Sequence, residues 1–253
     1  MSLCLEEVNY TVDRKRLLKD LNIRCEAGAL SAIVGPNGAG KSTALKLMSG
    51  DLAPTSGTTL LNRAEVSSYS ARELALLRAV MPQQTSPAFG LKVWEMVQLG
   101  RAPFAESQLL TLEHVEKSLR TVDALHLADR ELMTLSGGER QRILLAKALA
   151  QVSVEDASVG EKKFLLLDEP TASLDLKQAR TVMKILRAAA DSGIGIVLVI
   201  HDIASVRRYG DTVFLLKDGG LAHAGKPKTV LTGERIAVSF DVDSETAEDS
   251  VSI

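Results

Sequence analysis

Apolar positions in this chain change their spacing twice. Near the start they alternate: Leu3 and Leu5 lead to Val8, Leu17 and Leu18 follow, and Leu21, Ile23 and Cys25 are separated by polar residues. A period of two predicts half-buried strands. Residues 30–34 form a short apolar run that ends at a glycine-rich turn, and residues 58–61 read as a further strand. Between them, residues 41–49 place Leu45, Leu47 and Met48 on one side at helical spacing. From about residue 70 to 130 the helical period dominates, with candidate faces Leu74-Leu76-Leu77, Val93-Met96-Val97 and Leu112-Val115-Leu119-Val122, and a strand-like stretch at 79–81. Strands return at 164–167, 194–200 and 213–216, with a long helix at 176–190 between the first two. Gly219-Gly220 reads as a hairpin turn.

This order predicts an α/β fold with a β-rich start, an α/β core and a helical insertion over about residues 85–150. Residues 1–240 are expected to form one domain. The segment 241–253 is acidic and poor in large apolar residues, so a mobile tail is expected. The polar stretch 151–163 separates a helix from an apolar strand and reads as a surface-loop insertion.

Composition narrows the function classes. The chain has 253 residues, 45% of them apolar and 25% charged, as in an ordinary globular protein. A net charge of −2 gives no electrostatic reason to expect a nucleic-acid partner. No run approaches the roughly 18 apolar residues of a membrane span, and the N-terminus lacks the basic and apolar regions of a signal peptide. A cytosolic location is expected. Cys4 and Cys25 sit in strand-like segments without zinc spacing and read as buried thiols.

Against this background, Gly35-Pro36-Asn37-Gly38-Ala39-Gly40-Lys41-Ser42-Thr43 fits the pattern G-x-x-x-x-G-K-[ST] between a strand and a helix. Glycines let successive N–H groups curl toward phosphate oxygens, and the helix start adds partial positive charge. Lys41 would set a full charge near the β- and γ-phosphates, and the Ser42 hydroxyl suits Mg²⁺. Further on, the apolar run 164–167 ends in Asp168, Glu169 and Pro170. A strand this apolar belongs in the middle of a parallel sheet, with its C-terminal end at the ligand crevice. Asp168 is then placed for Mg²⁺ and Glu169 for general-base work on an attacking water. In Leu135-Ser136-Gly137-Gly138-Glu139-Arg140-Gln141, Ser136 and Glu139 form a capping box at a helix start, and the two glycines leave its N–H groups open to an anion.

Together these three segments resemble the ABC ATPase family, whose signature the LSGGERQ sequence matches, over roughly residues 3–240. The resemblance implies a P-loop NTPase (RecA-like) core with an N-terminal antiparallel β subdomain and an inserted α-helical subdomain. It further implies ATP and Mg²⁺ as ligands. Tyr10 matches the family's adenine-stacking aromatic residue, and Gln83 its glutamine that contacts Mg²⁺ and reports to the membrane subunit, although Gln84 is adjacent. Asp175, in Ser173-Leu174-Asp175, matches the loop that crosses the dimer interface, and His201 the histidine that contacts the γ-phosphate. In this family Ser136, Gly137 and Gly138 of one subunit face the γ-phosphate held by Lys41 of the other. The expected catalytic residues are therefore Glu169, His201 and Gln83, and the expected Mg²⁺ contacts are Ser42, Gln83 and Asp168.

The resemblance also implies partners. These are a second copy of the chain, two copies of a multi-spanning permease, and indirectly a periplasmic substrate-binding protein, with the chain on the cytoplasmic face of the inner membrane. Residues 91–103, with the arrangement V-x-x-x-V-x-L-G-R-x-P, look like importers of iron-siderophores, haem and vitamin B12, while the insertion 151–163 and residues 174–178 look most like the haem importers among them. Two soluble branches fit poorly. Translation-factor types carry two ATPase units in one chain, and DNA-repair types carry a long coiled coil between phosphate loop and signature; neither is present.

Overall fold

A computed structural model of the chain describes residues 1–83, 90–153 and 161–251. The chain opens with β1 (Ser2–Val12) and β2 (Lys15–Glu26), then β3 (Leu30–Val34), α1 (Lys41–Ser49), β4 (Ser56–Leu61) and β5 (Ala64–Glu65). Next come α2 (Ala71–Leu77), β6 (Arg78–Met81), α3 (Val93–Gln98), α4 (Gln108–Thr121) and α5 (Gly137–Gln151). The last part holds β7 (Phe164–Asp168), α6 (Leu176–Asp191), β8 (Gly195–Val199), α7 (Ile203–Tyr209), β9 (Thr212–Lys217), β10 (Gly220–Gly225), α8 (Pro227–Val230), α9 (Gly233–Phe240) and α10 (Ser244–Val251). Two sheets form, an antiparallel one ordered β2-β1-β4-β5 and a larger one ordered β10-β9-β3-β8-β7-β6. In the larger sheet β9, β3, β8, β7 and β6 run parallel, and β10 pairs antiparallel at one edge.

Every residue of β3, β7 and β8 is buried, because the larger sheet is covered on both faces. Alternate residues of one strand therefore enter different cores. Leu165 and Leu167 join the helices α3 to α7, whereas Phe164 and Leu166 join α1 and the antiparallel sheet. The parallel strands end together at their C-terminal edge. This brings the turn after Val34, Asp168 at the end of β7 and His201 just past β8 to one side of the sheet.

Three expectations from the sequence are altered by the structure. The hairpin between β9 and β10 turns on Asp218 and Gly219, both at positive φ (50° and 80°), while Gly220 already pairs with Lys217. An Asp-Gly pair suits the two left-handed positions such a turn needs. In α4, Leu112 is exposed and Thr111 faces inward instead, where its hydroxyl donates to Glu106 (2.8 Å). The acidic segment is ordered as α10, with Ala247 and Val251 buried one turn apart. Asp243 caps it by accepting from the Thr246 N–H (2.8 Å). The small apolar pair at i, i+4 anchors the helix despite its charge. Of the expected surface insertion, residues 154–160 lie outside the described residues, as does Gln84.

The L-G-R-x-P segment has a packing role. A side chain on Gly100 would sit 2.3 Å from the Lys147 carbonyl of α5. Arg101 is buried with Glu106, at 1% and 8% side-chain exposure and 2.5 Å apart, and donates to the Ala150 carbonyl (2.7 Å). Its guanidinium lies 3.7 Å from the centre of the Phe104 ring. The hydrogen bond from Arg101 holds the Glu106 carboxyl below its ordinary range. Removing one member of a buried pair leaves an uncompensated charge, which costs about 3–5 kcal/mol. Arg101→Ala is expected to lose that much stability, read from the urea midpoint; a loss under about 1 kcal/mol would contradict this account of the segment.

Candidate nucleotide site

At the C-terminal edge of the parallel sheet lies an open cleft of about 610 Å³. One wall is the glycine loop and the start of α1: Asn37, Gly38, Gly40, Lys41, Ser42 and Thr43. Gln83 and Glu169 stand at another wall, and Lys15, Arg16, Leu17 and Lys19 of β2 with Asp218 and Gly219 complete the lining. The loop can curl because its glycines take φ values that other residues rarely adopt. Gly38 (φ 80°) faces open space, and at Gly35 (φ 150°) a side chain would meet the Leu216 carbonyl at 2.2 Å. Ala39 is buried and anchors the loop from below.

Lys41 is buried, and its ammonium donates to the Gly35 (2.8 Å) and Pro36 (2.9 Å) carbonyls of its own loop. Burial pushes its pKa down, opposed by the charges of Glu169 and Asp168. A cation held this way is desolvated and close to where an anion would enter, so phosphate oxygens can replace the two carbonyls at little cost.

Asp168 ends β7 beneath the loop, and its Oδ1 is buried without a hydrogen-bond partner. Burial raises the Asp168 pKa above the ordinary carboxylate range, and the Ser42 side chain pulls it partly back. An orphaned carboxylate oxygen beside a hydroxyl is a hard-oxygen donor set that fits Mg²⁺. Among the described residues no group of three or more His, Cys, Asp or Glu could hold a metal by itself. Mg²⁺ commonly takes only one or two protein ligands and fills its shell with water and substrate phosphates. The Gln83 amide oxygen is the third candidate contact.

The raised pKa has a sign for stability. The folded chain favours protonated Asp168, so this contribution is present below the ordinary carboxylate pKa and is lost as pH rises through the shifted value. At neutral pH the ionised group opposes folding when no cation is bound. Asp168→Asn is expected to raise the melting temperature of the nucleotide-free protein by a few degrees, about 2–4 °C per kcal/mol for a chain of this size, while turnover falls. A lower melting temperature in calorimetry would contradict the account.

Glu169 leaves the strand at φ 50°, in the left-handed region, with its N–H donated to the Val199 carbonyl (2.9 Å). Both carboxylate oxygens are engaged: Gln83 Nε2 donates to Oε2 (2.7 Å), and His201 Nε2 lies 2.9 Å from Oε1. The three expected catalytic residues thus meet, although Gln83, Glu169 and His201 are far apart in sequence. Each of these oxygens has acceptor capacity left for a water to be deprotonated.

Ser136, Gly137 and Gly138 lie outside the cleft lining of their own chain. Ser136 caps α5, with its N–H and hydroxyl both donating to the Glu139 carboxylate (2.9 and 2.7 Å). A side chain on Gly138 would approach Leu174 (3.3 Å) and Gln178 (2.9 Å). Asp175 caps α6 by accepting from the Gln178 N–H (2.8 Å). The signature and the 173–175 loop therefore form one surface, flanked by exposed Met133 and Leu176. Gln141 ties the signature helix back to the site through a long contact to the Glu169 carbonyl (3.5 Å).

Tyr10 is not among the residues that line the cleft; it pairs with Leu18 and packs against the core below the antiparallel sheet. Tyr10 is half-buried there, so its side chain is shared between the core and the surface. Conversely, Lys15, Arg16, Leu17, Lys19 and the Asp218-Gly219 turn reach the cleft without having been expected there. Their signal in the sequence was the basic cluster at 14–16 and Lys19 in an otherwise near-neutral chain.

Comparison with known proteins bears on this geometry. A family model described as "ABC transporter" matches residues 18–172. The hemin import ATP-binding protein HmuV of Ruegeria sp. (strain TM1040) is 42% identical over 243 residues, covering 96% of this chain and 92% of that protein. HmuV of Gloeobacter violaceus is 40% identical over 230 residues, covering 90% of this chain and 83% of that protein. Among solved structures, the dimeric bacterial ABC transporter cassette MJ0796 superposes with a TM-score of 0.77 at 26% identity, covering 89% of this chain and 98% of that one.

Proposed function

Because this chain belongs to the ABC transporter family, we propose that it hydrolyses ATP as one of two identical subunits and thereby drives hemin import. One observation carries the two-copy part of this reading. The cleft holds a phosphate cradle, a buried carboxylate and a base, yet the signature helix start lies outside it on an exposed face. A second copy, related by a two-fold axis, would bring its own Ser136, Gly137 and Gly138 over the cleft and receive the same in return. Each helix start would then offer uncovered N–H groups to the γ-phosphate opposite Lys41.

In this reading Lys41 and the loop N–H groups hold the triphosphate. Mg²⁺, held by Ser42, Asp168 and Gln83, supplies charge neutralisation at the phosphates. Glu169 takes the proton from the attacking water, and His201 holds that carboxylate in place and faces the γ-phosphate. Closure of the pair on ATP and reopening after hydrolysis move the attached membrane subunits. Among the described residues no helix is long and apolar enough to cross a membrane; in this reading the translocation path belongs to a partner permease, two copies per pair. A groove of about 490 Å³ lined by Leu91, Trp94, Gln98, exposed Leu99 and Phe104 suits a short helix of that permease. The chain would then sit on the cytoplasmic face of the inner membrane, with a periplasmic binding protein delivering cargo to the far side.

The relatives named for hemin import support the cargo assignment; the chain's own residues do not touch cargo in this scheme. The test is reconstitution with its permease in proteoliposomes. ATP hydrolysis is expected to rise several-fold on adding a hemin-loaded binding protein. Stimulation by siderophore-loaded or vitamin B12-loaded binding protein alone would reassign the cargo.

A further inference from the structure

Two exposed helix faces carry charge that the nucleotide site does not use. On α6, Lys177, Arg180 and Lys184 form one exposed stripe, turned away from buried Val182, Leu186 and Ala190. On α10, Glu245 and Asp249 lie exposed one turn apart, opposite buried Ala247 and Val251. Among the described residues no hydrogen bond or ion pair engages the charged ends of these five side chains. Like charges one turn apart, as in Arg180 with Lys184 and Glu245 with Asp249, weaken a helix. α6 has no acidic residue before Asp191 to offset its stripe. Other exposed helix faces of the chain are built the opposite way: Glu116 pairs with Arg120 (2.6 Å) and Arg187 with Asp191 (2.9 Å), both at i, i+4. The two charged helices share a neighbour, since α7 packs against both. The basic stripe also begins just past Asp175, beside the signature surface that a second copy covers in the reading above.

We infer that the α6 stripe of one copy faces the α10 stripe of the other, as an ionic contact between the two copies beside the nucleotide. This rests on the two-copy reading and adds a contact to it. A two-fold interface must hold both halves of every contact on the same chain, because residue i of one copy meets residue j of the other and j meets i. This chain carries both halves, leaves them unpaired on itself, and sets the basic half at the edge of the nucleotide-dependent face. Closing the pair then places cations of each copy against carboxylates of the other at two equivalent positions. Exposed ion pairs are individually weak. The contact therefore steers approach and sets register rather than carrying the dimer, and salt screens it.

The dimer dissociation constant is measured by sedimentation with Mg²⁺ and ATP, in full chains bearing Glu169→Gln so that the closed pair persists. Beside this parent stand Arg180→Glu with Lys184→Glu, Glu245→Lys with Asp249→Lys, and all four together, each checked for folding by circular dichroism. At about 50 mM salt each stripe reversal is expected to weaken the dimer about tenfold, and the fourfold swap to return it to within about threefold of the parent. At about 500 mM salt the differences should shrink below about threefold. Should the α10 reversal not fold, the α6 reversal decides alone: the parent dimer weakens with salt and the reversed one does not. A reversal that leaves the dimer unchanged, or a fourfold swap as weak as the two reversals combined, overturns the inference while the sandwich stands. Binding to phosphatidylglycerol vesicles that is lost on reversing α6, with an unaltered dimer, would assign the stripe to a membrane surface and overturn it too. A parent chain that stays monomeric with ATP would instead overturn the two-copy reading itself.

Discussion

Glu169→Gln is expected to bind ATP with near-native affinity and to hydrolyse it at least about a hundredfold more slowly, the scale of a positioned general base. The substitution keeps size and most hydrogen bonding. Gln83 can still donate to the amide oxygen, and His201 can still meet one end of the new side chain, as each now meets a carboxylate oxygen at 2.7 and 2.9 Å. What is lost is the acceptor for a proton from water. Because binding persists while hydrolysis fails, the two copies should remain closed on ATP. Gel filtration with Mg²⁺ and ATP should therefore show a stable dimer where the wild type dissociates as nucleotide is spent. Turnover within tenfold of wild type would remove Glu169 from the role of base.

Lys41→Ala should act one step earlier. The ammonium is buried, carries two carbonyl hydrogen bonds at 2.8 and 2.9 Å and is kept charged with the help of Glu169 and Asp168. It is the one full positive charge held inside the glycine loop. A preorganised cation at a developing phosphate charge is worth several kcal/mol, so turnover should fall by about a thousandfold or more and ATP-induced melting shifts should shrink or vanish. Removing the side chain also leaves the two loop carbonyls without that donor, and a modest loss of apo stability is expected. Near-normal hydrolysis would mean that the loop does not hold the terminal phosphates.

Much of this was legible in the sequence because local chemistry and local geometry agree there. The glycine loop needs its glycines where φ is positive or space is closed, and α1 begins at Lys41 as its spacing predicted. The strand bearing Asp168 is uniformly apolar because it is covered on both faces. What stayed hidden depends on contacts between distant segments. The β1–β2 hairpin reaches the cleft only through tertiary packing, against Gly40 on one side and Gly219 on the other, where added side chains would strike Leu18 and the Leu17 carbonyl. The face that Tyr10 presents was equally hidden, since register shifts between Val8 and Thr11 set the local pairing. The acidic tail was misjudged because composition averages over charge and misses Ala247 and Val251 one turn apart. The L-G-R-x-P segment reads as a marker of importer group, and its Arg101 also has a packing role that the sequence hides, against Glu106, Ala150 and Phe104.

The central claim is that the site is completed by a second copy. It is tested most directly by cysteines at Asn37→Cys and Ser136→Cys in the Glu169→Gln background, since Asn37 lines the cleft and Ser136 is exposed outside it. The native Cys4 and Cys25 are buried, with the Cys25 thiol pushed up to about 12 by burial, so they will not compete. Mild oxidation with Mg²⁺ and ATP should give a covalent dimer on a non-reducing gel, and omission of nucleotide should abolish it. Monomers alone under closure conditions, or equal crosslinking without ATP, would contradict a nucleotide held between two copies.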